Sequence, residues 1–320
     1  MKGYVLVILA VFALVAGALA QTTNSKYDVT FFGAPPRGQG VWNLPRSVAV
    51  DGKGSVVIFR ASQLPVLIFN RAGELQKAWG EGLFPDGHSI DFDAQGFLWL
   101  TDRKDQMVYK YTVDGKQVMA LGKKGVAGDN KSTDAFSSPT DVAFGRNGDI
   151  FVTDGDVNSR VVHFSKDGKF IKIIGGTKGS QPGQFDHPHA LAIDSKGRLL
   201  VLDQQMEAHK PRVQVFDQNG TFIEEWTNIG GHQPTGIVIA ADDTVYLGDT
   251  DANTITIMKN GKVVDVIGSI QARPHNLALD PVTGVLYLVD PVTPMREGGG
   301  ETRDPNAPGG LVKQVRKRAS

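Results

Sequence analysis

The chain has no cysteine among its 320 residues. That excludes a disulfide framework and any thiolate metal ligand. Stability then has to come from the packed core, which a chain of this size can supply. An excess of one charge is missing too, with 34 Lys and Arg against 34 Asp and Glu. Nothing in that balance attracts nucleic acid in bulk, and the cluster Lys313, Arg316, Lys317, Arg318 reads as a solvated tail. Long apolar runs are absent beyond residues 4–19, which follow Lys2 and end at Ala18-Leu19-Ala20. Such a stretch is short for a membrane span and matches a secretory signal, so residues 1–20 are expected to be removed. The expected mature chain, 21–320, has 33 basic and 34 acidic side chains, is secreted or periplasmic, and touches no membrane. A sustained helix-period pattern is also lacking outside the N-terminus.

What the chain does have is a repeat. His88, His189 and His275 each open a short apolar run with Asp five residues later, at Asp93, Asp194 and Asp280. A second Asp closes the next run at Asp102, Asp203 and Asp290, which lie 14, 14 and 15 residues after the histidines. Three more segments share the layout without the His, so the position reads Arg46, His88, Thr140, His189, Thr235, His275 along the chain. The spacings are 42, 52, 49, 46 and 40 residues, a period typical of repeat architectures.

Each unit contains four short Val-, Ile- and Phe-rich runs separated by Asp-Gly or Asn-Gly turns such as Asp114-Gly115 and Asn219-Gly220. Six such units predict an all-β fold: a single six-bladed β-propeller with four antiparallel strands per blade. Residues 26–33 look like a fourth strand and 311–316 like a third, so the last blade is expected to join both ends of the chain. The Gly- and Pro-rich stretch 291–310 is expected to form a mobile loop.

Alternate blades of a six-bladed ring lie about 120° apart, so the three histidines of blades two, four and six should converge on the axis. Three neutral imidazoles with an open fourth position suit a catalytic zinc or another divalent metal. The other four histidines, His163, His187, His209 and His232, fall off this phase. Arg60 stands where the other units have the closing Asp. It is either a carboxylate-binding group near the channel rim or a surface or inter-blade arginine. Arg46, at the histidine phase of blade one, is a similar candidate.

With these residues in hand, the chain resembles the NHL-repeat propellers and, more narrowly, the peptidyl-α-hydroxyglycine α-amidating lyase family. The resemblance runs from about residue 40 to 290. It is densest in Ser138-Pro139-Thr140-Asp141, in Asn158-Ser159-Arg160, and in Pro182-Gly183-Gln184-Phe185 followed by Pro188-His189. It implies zinc ligands at His88, His189 and His275, and a substrate-binding arginine at Arg60 with one residue of slippage. It also implies a structural calcium at the carbonyls of Val48 and Ile90, where the family's acid is Asn276 here. Two family residues have changed: the proposed catalytic tyrosine falls on Asp156 and a second arginine on Gln204.

The expected function is a metal-dependent lyase cleaving the C–N bond of an α-hydroxyglycine carbinolamide to an amide and glyoxylate. Arg60 would hold the carboxylate and Asp156 would act as base. The partner is a small-molecule or peptide substrate, and the chain is expected to be a monomer. The alternative is a non-catalytic propeller that binds a protein or glycan, with a structural or vestigial metal. A calcium-dependent lactonase-like hydrolase is a third reading, but its channel needs carboxylate and amide oxygens where this phase offers imidazoles.

Overall fold

The computed structural model describes residues 26–34, 42–268, 270–291, 295–296, 300–301 and 310–318. The expected signal segment 1–20 and most of the expected loop 291–310 lie outside the described residues. Six four-stranded antiparallel sheets form the blades of a propeller. Blade one is built from Pro45–Val50, Ser55–Arg60, Val66–Asn70 and Leu75–Trp79. Blades two to five repeat that order, and their first strands are Gly87–Phe92, Pro139–Phe144, Pro188–Ile193 and Pro234–Ile239. Blade six joins Asn276–Leu279, Leu286–Asp290 and Leu311–Lys317 to the N-terminal strand Tyr27–Phe31. The register Tyr27↔Lys317 to Phe31↔Lys313 closes the ring as the sequence predicts.

Strand alternation explains how neighbouring blades stick. In the second strand of blade one, Val56 and Ile58 point into a cluster with Tyr287 and Val289 of blade six. Val57 and Phe59 point the other way, toward Leu98 and Leu100 of blade two. Six such apolar clusters separate the six blades, so every second strand is buried on both faces.

The two recurrent aspartates have separate structural duties. The earlier one folds the first hairpin: Asp93 Oδ1 accepts the N–H groups of Gln95 and Phe97, both at 3.0 Å. The closing one reaches back to the segment that leads into the blade. Asp203 accepts the N–H groups of Asp186 and His187 at 3.1 and 2.9 Å, and Asp249 accepts that of Gln233 at 2.9 Å. These buried carboxylates therefore set the height at which the first strands enter the channel.

Candidate metal centre

The histidine phase coincides with a break in the ladder. In blades one, three, four and five the pairing skips the phase residue: Pro45 to Ser47, Pro139 to Asp141, Pro188 to Ala190, Pro234 to Gly236. Blade two skips from Gly87 to Ile90. Such β-bulges re-aim a side chain and free its carbonyl from the sheet. Both consequences are used at the axis.

The rings of His88, His189 and His275 meet edge to face, with centroids 5.0, 5.1 and 5.5 Å apart. One ligand atom from each lies within 4.8 Å of the other two. The bulged carbonyls of the intervening blades hold them. His88 Nδ1 donates to Thr140 O at 2.7 Å, His189 Nδ1 to Thr235 O at 2.7 Å, and His275 Nδ1 to Arg46 O at 2.9 Å. A donating Nδ1 fixes the tautomer and leaves each Nε2 as a lone-pair donor. The girdle continues through the threonine hydroxyls: Thr140 Oγ1 lies 3.2 Å from Pro188 O and Thr235 Oγ1 3.1 Å from Pro274 O, each just before a histidine. Gly155 and Gly248 let the blades approach here, because a Cβ would sit 1.9 Å from Pro188 O or 2.7 Å from Pro274 O.

Burial keeps the imidazoles neutral. It pushes His189 down to about 4, helped by neighbouring His187, and His275 down to about 3, helped by His189. His88 falls well below its ordinary value through burial and its two partners. Three neutral nitrogens, preset and without a fourth protein donor in the triad, fit a divalent ion.

The mouth above the triad is charged, and it joins Asp156 and Arg46, which the sequence singles out, to Arg103, Asp86 and His187, which it does not. Arg103 donates through Nε and Nη2 to Asp86 at 3.1 and 3.0 Å and through Nη1 to Asp156 at 2.8 Å. Arg46 lies 3.8 Å from Asp86, and its Nε is buried without a partner among the described residues. His187 Nε2 is 3.2 Å from Asp156 Oδ1, and its ring stacks on His189 with centroids 5.7 Å apart and planes at 20°. The charge of Arg103 is felt at all three imidazoles, and that of Arg46 at His275.

Arg60 is placed differently from the expectation that it faces the channel mouth. Its side chain is fully buried, donating from Nε to Leu64 O at 2.8 Å and from Nη1 to Trp42 O at 3.3 Å, while Nη2 has no partner among the described residues. Burial alone lowers it to about 10. The physical reason is its register: the closing position is buried in every blade, and here a donor replaces the acceptor.

Asp156 does reach the mouth, but as the centre of an ion-pair chain. Burial pushes its carboxyl upward, but the His187 bond, the nearby His88 and His189 rings and Arg103 together outweigh that and hold it well below the usual carboxylate range. A free base is not what this environment makes. Gln204 donates from Nε2 to Pro234 O at 2.9 Å, the carbonyl just before Thr235. Arg103, Asp86 and His187 escaped the sequence reading. Arg103 had a signal, since it follows Asp102 as Gln204 follows Asp203 two blades on.

At the other end of the first strands a cavity of about 1020 Å³ opens, lined by Val48, Ile90 and Asn276 together with Asp91 and Asp141. Asn276 Oδ1 accepts the Val48 N–H at 3.1 Å, so the one side-chain oxygen that the family likeness offers to calcium is already engaged and carries no charge. Asp91 and Asp141 are each pushed up to about 7, mainly because protein walls surround them, although water reaches both. An acid raised in the fold favours the folded state most below its unfolded value, and that advantage is lost as pH rises through about 7. Asp91→Asn is therefore expected to raise stability by about 1–2 kcal/mol at pH 8 after screening by channel water, with the gain fading toward pH 4. Thermal melts of both proteins across that range check it, and a pH-independent difference would refute it.

These features define a class: a six-bladed β-propeller with an axial three-histidine cluster beneath a charged mouth. Its homologues include NHL repeat-containing proteins and peptidyl-alpha-hydroxyglycine alpha-amidating lyases. NHL repeat-containing protein 3 of Homo sapiens is 28% identical over 270 residues, covering 76% of this chain and 75% of the relative. Peptidyl-alpha-hydroxyglycine alpha-amidating lyase 1 of Drosophila melanogaster is 32% identical over 255 residues, 70% of this chain and 46% of the relative. Among solved structures, a gluconolactonase from Xanthomonas campestris superposes with a TM-score of 0.63 at 14% identity, covering 86% of each chain, a likeness of fold alone. No family model matches the chain.

Proposed function

We propose that this propeller is a metal-dependent carbon–nitrogen lyase acting on amidoglycolates, R-CO-NH-CH(OH)-COO⁻, and releasing an amide and glyoxylate. The observation that carries the reading is the triad of His88, His189 and His275, brought within 4.8 Å of one another with every Nδ1 committed to a carbonyl, which leaves every Nε2 as a lone-pair donor. These residues would hold zinc or a similar divalent ion, which when bound would supply Lewis acidity toward the substrate hydroxyl. The relatives named as lyases of this type support the substrate class.

The chain's own groups do the rest. Arg103 and Arg46 present positive charge at the mouth where the carboxylate of an amidoglycolate would arrive. The hydroxyl proton has to leave as the C–N bond breaks, and the amide nitrogen has to gain one. The Asp156–His187 pair offers a route for both transfers, with the carboxylate orienting the ring that carries the proton.

The test is glyoxylate release from an N-acyl-α-hydroxyglycine by metal-loaded and metal-stripped protein. Arg46→Gln and Arg103→Gln are expected to raise KM about 10–100-fold for the acid, the scale of one or two charge-assisted bonds, and to change little for its uncharged amide analogue. No release by the metal-loaded chain would favour the non-catalytic binding propeller. That second reading draws on the changed positions Asp156 and Gln204, the latter an uncharged amide engaged with Pro234 O.

A further inference from the structure

His189 belongs to two groups of potential ligands at once. With His88 and His275 it forms the triad, of which His88 and His189 are buried; with Asp156 and His187 it forms a second set whose ligand atoms also lie within 4.8 Å of one another. We propose that this second set is a loading position for a divalent cation at the mouth of the channel, sharing His189 with the triad so that one ion occupies either place but not both. The inference rests on the metal reading of the triad, adds His187, which neither the repeat nor the family likeness supplies, and gives Asp156 a ligating role.

The sharing follows from hydrogen bonding. His189 Nδ1 is committed to Thr235 O at 2.7 Å, so only Nε2 remains to bind an ion. One lone pair serves one metal at a time. The new donors also suit the task. Asp156 and His187 lie 3.2 Å apart, close to the spacing of neighbouring donors on one ion, and the parallel stack of His187 on His189 sets the two rings side by side. Asp156 adds the negative charge that the all-imidazole triad lacks. Its other oxygen is held by Arg103, itself gripped by Asp86, the kind of outer support that orients a ligating carboxylate. His187 is fixed through its backbone, with its N–H on Asp203 and its carbonyl accepting from Gln204 at 3.0 Å.

Exposure gives the direction of travel. His187 and Asp156 are both half-buried, whereas His88 and His189 are buried and His275 is half-buried. An ion arriving from solvent meets the carboxylate and the outer imidazole first. It reaches the triad by keeping its bond to His189 while exchanging His187 and Asp156 for His88 and His275. A site approached this way never has to release a fully hydrated ion into a buried cluster.

The experiment uses Co²⁺, whose visible spectrum distinguishes donor sets, added to the metal-stripped full chain. The native protein should bind one equivalent. The double variant His88→Ala, His275→Ala should still bind one equivalent, more weakly and with a different spectrum, and adding Asp156→Asn should abolish it. In an otherwise intact chain, His187→Gln should slow both uptake and chelator-driven release about tenfold, leaving the equilibrium affinity unchanged. His187 lies near the surface, so that arm does not depend on the double variant folding. Two equivalents on the native protein would overturn the sharing. Loss of all binding in a folded double variant, or unchanged uptake in His187→Gln, would overturn the loading position while leaving the triad intact. No binding by the native chain would remove the metal reading and this inference together.

Discussion

Replacing His189 by alanine should weaken divalent-ion binding more than any other single change at the axis. Whole tetrahedral sites are worth about 10–16 kcal/mol, or about 3–4 kcal/mol per ligand, so one lost imidazole corresponds to roughly a thousandfold in affinity. The outer girdle should matter less. Thr235→Ala removes the hydroxyl contacts to Pro274 O and Gly248 O and leaves the carbonyl that holds His189, so a loss near tenfold is expected. The measurement is competition against a chelator of known affinity, on protein whose melting curve shows it is folded. An His189→Ala protein that binds zinc within tenfold of the native value would mean that the three rings meet for packing alone.

Much of the fold could be read from the sequence because propeller repeats are periodic and each blade repeats the same demands. Asp93 and Asp194 fold their first hairpins, Asp203 and Asp249 hold the leads into their blades, and both duties bring the same residue type back in most units. The triad was legible for the same reason, since symmetry alone brings alternate blades to one axis. What symmetry hides is local. The bulges that turn the phase residues toward the channel leave no mark in composition, so the carbonyls of Thr140, Thr235 and Arg46 could not be assigned beforehand.

The mouth is a different matter, because its residues obey no repeat. Asp86, Arg103, Asp156 and His187 come from loops of three blades, and up to 101 residues separate them along the chain. His187 was set aside for being off phase, yet two residues before His189 is close enough for its ring to stack on that histidine. Arg60 shows the converse. Its departure from the repeat drew the eye, but the closing position is buried at Asp102, Asp154 and Asp203 alike, and Arg60 is buried with them. Position in the repeat decided its surroundings, and residue type only decided which carbonyls it bonds.

The largest loss of stability is expected from Asp154→Ala. The carboxylate is fully buried and serves four donors: Ser137 N at 2.8 Å, Asn158 Nδ2 at 2.8 Å, and Arg160 through Nε at 2.9 Å and Nη2 at 2.8 Å. Arg160 is equally buried, and its remaining bonds go to the carbonyls of Ser132 and Ala135. Deleting the carboxylate leaves a guanidinium inside the protein with no counter-charge, which typically costs about 3–5 kcal/mol. For a domain of this size each kcal/mol shifts the melting temperature by about 2–4 °C, so a fall of roughly 6–20 °C should be seen. The damage should reach the axis as well, because Gly155, the next residue, packs on the carbonyl before His189. Asp154→Asn keeps an acceptor and should lose less. The double change Asp154→Leu, Arg160→Met removes both charges, and apolar replacements of buried pairs are often tolerated, so it should recover much of the loss. If Asp154→Ala melts within 2 °C of the native protein, the pair contributes nothing net and the entrance to blade three is held by its backbone alone.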